Sequence, residues 1–322
     1  MNRRVRWGIV ATGTISRQMT SDLKLVADAD VVAVSSRHAD SSNSFADEFD
    51  ILNRFDDYAA FLNSDIDAVY IGTPHATHFA FAESAILAGK HVLCEKPLGL
   101  DAAEVRTLSA LARRHEVFLM EAMWMKFNPL YERLVCLLAE GRIGEVRSVQ
   151  AAFGIPFPQD DSSRWKPEMR GSALLDQGIY PVTLAHMILG KPVSLHADGV
   201  VRADGIDLSE HFTLEYSDGR YAHGAASMVE FSDLTASICG STGWITVKAP
   251  FWASAELTVH RPWNPDGEES TVMKTRWEGN GYVPMLHSVN RSILAGHLEN
   301  SVHTNDAAAD VFDVLDEIRR QL

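Results

Sequence analysis

Short apolar runs separated by helical spacing fill the first third of the chain, and apolar–polar alternation takes over beyond it. Val5 to Val10, Val-Arg-Trp-Gly-Ile-Val, reads as a buried strand. Ile15, Met19, Leu23 and Val26 then recur at i, i+4, i+8 and i+11, which predicts a helix over Ile15 to Val26. Val31 to Ser35 and Ile66 to Gly72 are strand-like, and Phe79, Phe81, Ile86 and Leu87 mark a further helix. His91 to Cys94, a helix from Ala102 to His115 and the strand Val117 to Glu121 continue the rhythm. Repeated strand-then-helix units with short connections predict an α/β fold with a doubly wound parallel sheet.

The remainder reads differently. Strand-like stretches occur at Val146–Phe153, Val193–Val201, His211–Tyr216, Tyr221–Phe231, Thr235–Cys239 and Trp244–Lys248. Alternation in Leu214-Glu215-Tyr216 and from Ala225 to Phe231 predicts an antiparallel sheet with one covered face. Helical spacing marks Ala173 to Leu189, Met285 to Leu298 and Asp306 to Leu322, the last with Asn305 as N-cap. The change of composition at Ala122-Met123-Trp124-Met125-Lys126-Phe127-Asn128-Pro129 places a boundary there, and Pro129 suits the first position of a helix. The expected domains are 1–122 and 123–322.

At 322 residues the chain is long enough for two such cores. Its longest apolar runs are too short to span a bilayer, and the basic start lacks the apolar stretch of a signal peptide, so no membrane partner is expected. Cys94, Cys136 and Cys239 are odd in number and far apart, which argues against a disulfide framework or zinc–thiolate site and for a reducing cytoplasm. A formal charge of −14 repels phosphate backbones, so nucleic-acid binding is disfavoured. A cofactor phosphate would need a local cationic site.

The turn after the first strand offers one. A G-x-G-x-x-G fingerprint would put glycines at 11, 13 and 16, where the chain has Ala11, Gly13 and Ser16. The middle glycine, which lets the backbone approach a pyrophosphate, is present. Ala11 and Ser16 are small enough for tight packing provided Ala11 keeps φ negative. Ala11, Thr12, Gly13, Thr14 and Ile15 are therefore candidate cofactor contacts. The end of the second strand carries Ser36 and Arg37 instead of the acid that grips a ribose 2′-OH, and an arginine there suits a 2′-phosphate, so NADP is favoured over NAD. Thr73-Pro74-His75-Ala76-Thr77-His78 follows another strand end. His75 and His78, at i and i+3, could be metal ligands, but no third ligand is near, and contacts from Thr73, Pro74, His75 and His78 to a cofactor fit better; no metal is expected.

Glu95-Lys96-Pro97 ends the apolar strand His91 to Cys94. Pro97 has no N–H for a ladder, so Lys96 stands where the sheet stops, at the carboxyl edge where open parallel sheets bind ligands. The stretch alone is equally compatible with a surface lysine. Farther on, Asp176 and Tyr180 are spaced i, i+4 and share one face if the segment is helical. An ammonium near Tyr180 would lower its phenol pKa into a range useful for proton transfer, and Lys96 could supply it if the two domains meet. A buried structural tyrosine and a helix-start aspartate are the alternative.

Trp7-Gly8-Ile9-Val10-Ala11-Thr12-Gly13-Thr14-Ile15, Thr73-Pro74-His75, Glu95-Lys96-Pro97, Glu121-Ala122-Met123-Trp124 and Leu175-Asp176-Gln177-Gly178-Ile179-Tyr180, in that order, resemble the glucose–fructose oxidoreductase / inositol dehydrogenase (Gfo/Idh/MocA) family. The closest likeness is to its dimeric dihydrodiol dehydrogenase and NADP-dependent D-xylose dehydrogenase branch. The resemblance implies a Rossmann domain followed by an α+β domain with an open, mostly antiparallel sheet that serves as a homo-oligomer interface, in a dimer or a dimer of dimers. It also implies a cis peptide before Pro97, catalytic roles for Lys96 and Tyr180 with Asp176 nearby, cofactor contacts that include Glu95 and Lys96, and Trp124 and Trp165 as walls of the substrate pocket. The activity so implied is NAD(P)-dependent hydride transfer to or from a secondary alcohol of a sugar or cyclic diol. Either Lys96 or Tyr180 could be the acid/base group. An NAD-assisted glycoside hydrolase and a non-catalytic dinucleotide-binding regulator are the rival functions.

Overall fold

The computed structural model of the chain describes residues 3–262, 269–276 and 278–322. In chain order the elements are β1 (Val5–Val10), α1 (Thr14–Leu23), β2 (Ala29–Ser35), α2 (Ala39–Phe49), β3 (Asn53–Phe55), α3 (Tyr58–Leu62), β4 (Ala68–Ile71), α4 (His78–Leu87), β5 (His91–Cys94), α5 (Ala102–Arg114) and β6 (Leu119–Glu121). There follow α6 (Pro129–Ala139), β7 (Val146–Gly154), α7 (Ile179–Leu189), β8 (Ser194–Val201), β9 (Asp207–Glu215), β10 (Tyr221–Ser227), β11 (Ala236–Gly240), β12 (Trp244–Val247), β13 (Glu256–Arg261), β14 (Glu269–Lys274), α8 (Val283–Leu294) and α9 (Asn305–Gln321).

The chain packs as two compact units, Met1–Phe127 with Trp277–Ala309 and Asn128–Arg276 with Asp310–Leu322. The boundary falls after Phe127, not after residue 122, and 277–309 return to the first unit. Buried polar groups explain the return. Asp22 on α1 is fully buried, and its carboxylate accepts the N–H groups of Asn280 and Tyr282 at 2.8 and 2.9 Å. Trp7 is fully buried too, and its indole N–H reaches Asn290 Oδ1 at 3.1 Å. Left unpaired, each such group would cost about 1–3 kcal/mol, so 278–294 supply what 1–127 lack. None of these pairs has a periodicity that a sequence pattern could show.

The first unit holds six parallel strands in the order β3-β2-β1-β4-β5-β6, the doubly wound order whose switch point lies between β1 and β4. The second holds eight strands in the order β14-β13-β12-β11-β7-β10-β9-β8, antiparallel except for β7 with β10. Its inward residues, among them Phe153, Phe212, Leu214 and Ile245, are buried, and α7 covers β7 and β10. The expected fold class is the observed one. The pattern missed α2, β3, α3, β13 and β14, and it placed the last cap one residue late: Thr304 Oγ1 accepts the N–H of Ala307 at 3.1 Å. Among the described residues no helix is long and apolar enough to cross a membrane.

Candidate active site

The first unit's candidate residues gather at the carboxyl edge of its sheet. Gly13 is the N-cap of α1, with no side-chain cap and no acid in the helix's first turn. The first bond back is from Arg17 N to Gly13 O, so the N–H groups before it have no acceptor within the helix. A Cβ built on Gly13 would meet nothing within 4 Å, and its φ of −73° is ordinary. Neither backbone nor packing requires glycine here. A bare Cα facing open space at an uncapped helix end suits a pyrophosphate, whose charge the helix dipole favours.

The other two fingerprint positions behave otherwise than expected. Ala11 has a φ of +79°, in the left-handed region, not the negative φ that tight packing was expected to need. The third glycine's packing role has moved to the facing strand end: a Cβ on Gly72 would lie 2.5 Å from the fully buried Ser16 Oγ. Thr12, Thr14 and Ile15 complete the turn, with Thr14 exposed. Ser36 and Arg37 follow β2; Ser36 N donates to Phe55 O at 3.1 Å, and Arg37 is exposed with no ion pair among the described residues.

Thr73, Pro74 and His75 lie half-buried after β4. His78 does not face outward. It is fully buried, with Nδ1 2.7 Å from Pro97 O and Nε2 2.7 Å from Thr73 O. Both ring nitrogens are taken by carbonyls, which leaves neither for a metal or a cofactor. His78 instead ties together the loops after β4 and β5. Only the imidazolium can donate to both oxygens; burial outweighs the two carbonyls and holds its pKa below the ordinary value, so the neutral ring, donating to one of them, is favoured. Among the described residues no group of three or more His, Cys, Asp or Glu is placed to hold a metal ion.

Glu95 is also turned inward. It is 6% exposed and accepts the Tyr70 hydroxyl at 2.8 Å. Burial pushes its carboxyl up to about 7, with the Lys96 ammonium opposing. Its carboxyl seats the turn. Lys96 stands half-buried at the edge, the Lys96–Pro97 peptide is cis, and Leu98 N donates to Glu121 Oε1 at 2.9 Å. Trp124 packs on the first unit's core, its ring centroid 5.1 Å from that of Tyr282.

In the second unit the predicted helix over Ala173 to Leu189 is present but not regular. Leu174–Gly178 form a π-helical turn before α7. Pro181 explains this, because it has no N–H to return to Gln177 and its ring crowds that carbonyl. Asp176 lies in the widened turn and Tyr180 just after it, so their angular step is not that of a regular α-helix. Asp176 Oδ2 accepts Arg164 Nε at 2.8 Å, and the Arg164 guanidinium lies 3.7 Å over the Phe157 ring. Tyr180 is 4% exposed and meets Phe153 and Trp252 at centroid distances of 5.5 and 6.0 Å; those two rings stack on each other at 3.5 Å. Trp165 is 8% exposed, packs with Ala173, Ile206 and Met228, and donates Nε1–H to Pro158 O at 2.7 Å. It is first of all a core residue beneath the 155–171 loop.

Arg164, Phe153, Trp252 and Gly72 escaped the sequence reading. Gly72 carried a signal, a glycine directly after a buried strand. The other three come from separate segments and carried none.

Comparison with known proteins spans most of the chain. The model of an oxidoreductase family with an NAD-binding Rossmann fold matches residues 5–123, and that of the GFO/IDH/MocA C-terminal domain matches 131–246. The trans-1,2-dihydrobenzene-1,2-diol dehydrogenase of Xenopus tropicalis is 31% identical over 98% of both chains, and that of Sus scrofa is 33% identical over 99% of this chain and 97% of its own. A 3-ketoreductase from Actinomadura kijaniata, in complex with NADP and TDP-benzene, superposes with a TM-score of 0.87 at 27% identity, covering 99% of this chain and 98% of its own. A levoglucosan dehydrogenase in complex with NADH and levoglucosan shares the fold, with a TM-score of 0.89 at 18% identity over 99% of this chain and 97% of its own.

Proposed function

We propose, since the chain belongs to the GFO/IDH/MocA family of oxidoreductases with an NAD-binding Rossmann fold, that it transfers a hydride between NADP and a secondary alcohol carbon of a sugar or cyclic diol. The diol dehydrogenases and the NADP-bound ketoreductase support the substrate class and the cofactor. The nicotinamide supplies the hydride chemistry; the protein binds, orients and moves the proton. Ala11 to Ile15 and the open end of α1 hold the pyrophosphate. Ser36 and Arg37 hold the 2′-phosphate, and Thr73, Pro74 and His75 border the cofactor. In the oxidative direction the Tyr180 phenol is assigned to the hydroxyl proton and the Lys96 ammonium to the substrate oxygen. Asp176, held by Arg164, and the rings of Trp124 and Trp165 are assigned to substrate contacts, each from its own unit.

The observation that carries this reading is the edge itself: an uncapped helix end facing open space at Gly13 and, two strands away, Lys96 seated by buried partners. The protein works as a homodimer through the uncovered face of the second sheet, where Gln150, Ala152, His223 and Ser237 line a shallow groove of about 320 Å³. Three free cysteines suit a reducing cytoplasm.

The test is a screen of sugars and cyclic diols by reduced-nicotinamide absorbance, with NAD and NADP in parallel and Lys96→Met as control. Turnover is expected with at least one substrate and faster with NADP. Lys96→Met should cut kcat by about 100- to 10,000-fold and leave NADP binding largely intact. Near-normal turnover in that variant defeats the assignment, and a preference for NAD removes the role given to Arg37.

A further inference from the structure

Three side chains near Lys96 take no part in the chemistry proposed above. Glu121, the last residue of β6, and His303 are each 1% exposed, and Lys126 is half-buried. His303 Nε2 lies 2.9 Å from Glu121 Oε2, and Lys126 Nζ lies 3.3 Å from His303 Nδ1. The other Glu121 oxygen accepts the N–H of Leu98 at 2.9 Å. All four residues belong to the first unit.

Donor and acceptor roles here have one consistent assignment. An ammonium has only protons to give, so His303 Nδ1 must accept. The imidazole proton then sits on Nε2 and is donated to Glu121. Glu121 gives one oxygen to His303 and the other to Leu98. A chain of hydrogen bonds thus runs from Lys126 through His303 and Glu121 to a backbone N–H two residues beyond Lys96. Burial pulls the Lys126 ammonium down to about 8, with Glu121 opposing. The other titratable groups in the field of Glu121 are Glu95, His78 and Cys94.

The members come from distant parts of the sequence. His303 reaches Glu121 across 182 residues and Lys126 across 177. A pair of buried charges is a poor device for stability alone, because removing it from water offsets most of its attraction. It does fix geometry, since each member has one arrangement that satisfies all its bonds.

We infer that Lys126 and His303 are positioning residues for Lys96, acting through Glu121 on the backbone at Leu98. The inference rests on the reading of Lys96 as the group that works on the substrate oxygen.

Two measurements on the full chain test it. Lys126→Met should lower kcat by about 10- to 100-fold, the scale of a small misplacement of a reacting group, with KM for NADP nearly unchanged. Lys126→Arg, which keeps a cation and a donor, should recover most of the loss. Competitive labelling with a trace amine reagent then reads the pH dependence of Lys96 reactivity directly, without turnover. That profile should shift in Lys126→Met and return in Lys126→Arg. A merely structural role would move the melting midpoint and leave the Lys96 profile in place. Should Lys126→Met fail to fold, Glu121→Gln, which still accepts from Leu98 but loses the carboxylate, carries the same readouts. Full kcat and an unchanged Lys96 profile, with Lys96→Met inactive, overturn the relay and spare the function. Activity in Lys96→Met overturns the function, and the labelling profile still decides whether the relay acts on Lys96.

Discussion

The two units seat their reactive groups by opposite means. Around Lys96 the first unit uses buried hydrogen bonds: His78 to Pro97 O, Tyr70 to Glu95, and Glu121 to Leu98 N. Around Tyr180 the second uses rings, with Phe153 and Trp252 stacked beside the phenol, and a π-helical turn set by Pro181. Hydrogen bonds are directional and fail sharply when one partner is lost. Ring contacts are broad and degrade by degrees. Both seats carry titratable groups, Glu95 and His78 in the first and Glu210 against the π-helical turn in the second, but only in the first are they part of the hydrogen bonds that hold the reactive group.

The contrast breaks most visibly at His78. His78→Leu leaves two buried carbonyls without a donor and is expected to cost about 2–5 kcal/mol. Because the chain has two units, a single melting midpoint mixes their responses. Hydrogen exchange reads them apart. Amides from Thr73 to His75 and from Lys96 to Leu98 should exchange much faster, while peptides across α7 stay protected. Trp252→Ala is the counterpart; it removes half-buried ring area, costs roughly 1–3 kcal/mol, and should loosen only the second unit. Equal loosening of both units by either variant would mean that the two seats are not independent.

Glu95 sharpens the comparison through pH. Its folded pKa of about 7 lies above the ordinary 4.5 because burial disfavours the carboxylate. A group raised in this way contributes its full stability below the unfolded value and has lost it once pH passes the folded value. Stability should therefore fall as pH rises from about 4.5 to about 7, by roughly 3 kcal/mol at most. Glu95→Gln keeps an oxygen for Tyr70 and removes the titration, so its urea-unfolding free energy should be flat across that window. A variant with the same slope as the native chain would place the titration elsewhere.

Sequence legibility follows the same division. The parallel strands and their edge were readable because Val5–Val10 and His91–Cys94 are short, mostly apolar runs, the second ended by the charges of Glu95 and Lys96 and by Pro97. Lys96 stood out because Pro97 must end a ladder. What those strands lean on was not readable. Asp22 with Asn280, Trp7 with Asn290 and Glu121 with His303 are each separated by more than 180 residues, and no local pattern encodes such a pair. His78 read as a cofactor contact because it follows a strand end near the phosphate turn; the carbonyls 2.7 Å from both its ring nitrogens show it seating two loops instead. In the second unit Pro181 was in plain view, and it marks the π-helical widening that spacing alone read as regular helix.

The smallest expected effect is at Ala11, and it tests whether the first unit's edge carries backbone strain for its ligand. An alanine at φ +79° sits where its Cβ crowds the neighbouring carbonyl, at a cost of about 1–2 kcal/mol. Glycine removes that crowding but gives the unfolded chain more freedom, which returns part of the gain. Ala11→Gly should thus stabilise the first unit by about 1 kcal/mol or less, read as slower exchange of the β1 and β2 amides. The turn's shape is already that of glycine, so the affinity for NADP, measured by nicotinamide fluorescence or calorimetry, should stay within about two-fold. A large gain in affinity would mean that Ala11 obstructs the phosphate turn. A loss of stability would mean that contacts of the alanine methyl outweigh the strain at its own backbone.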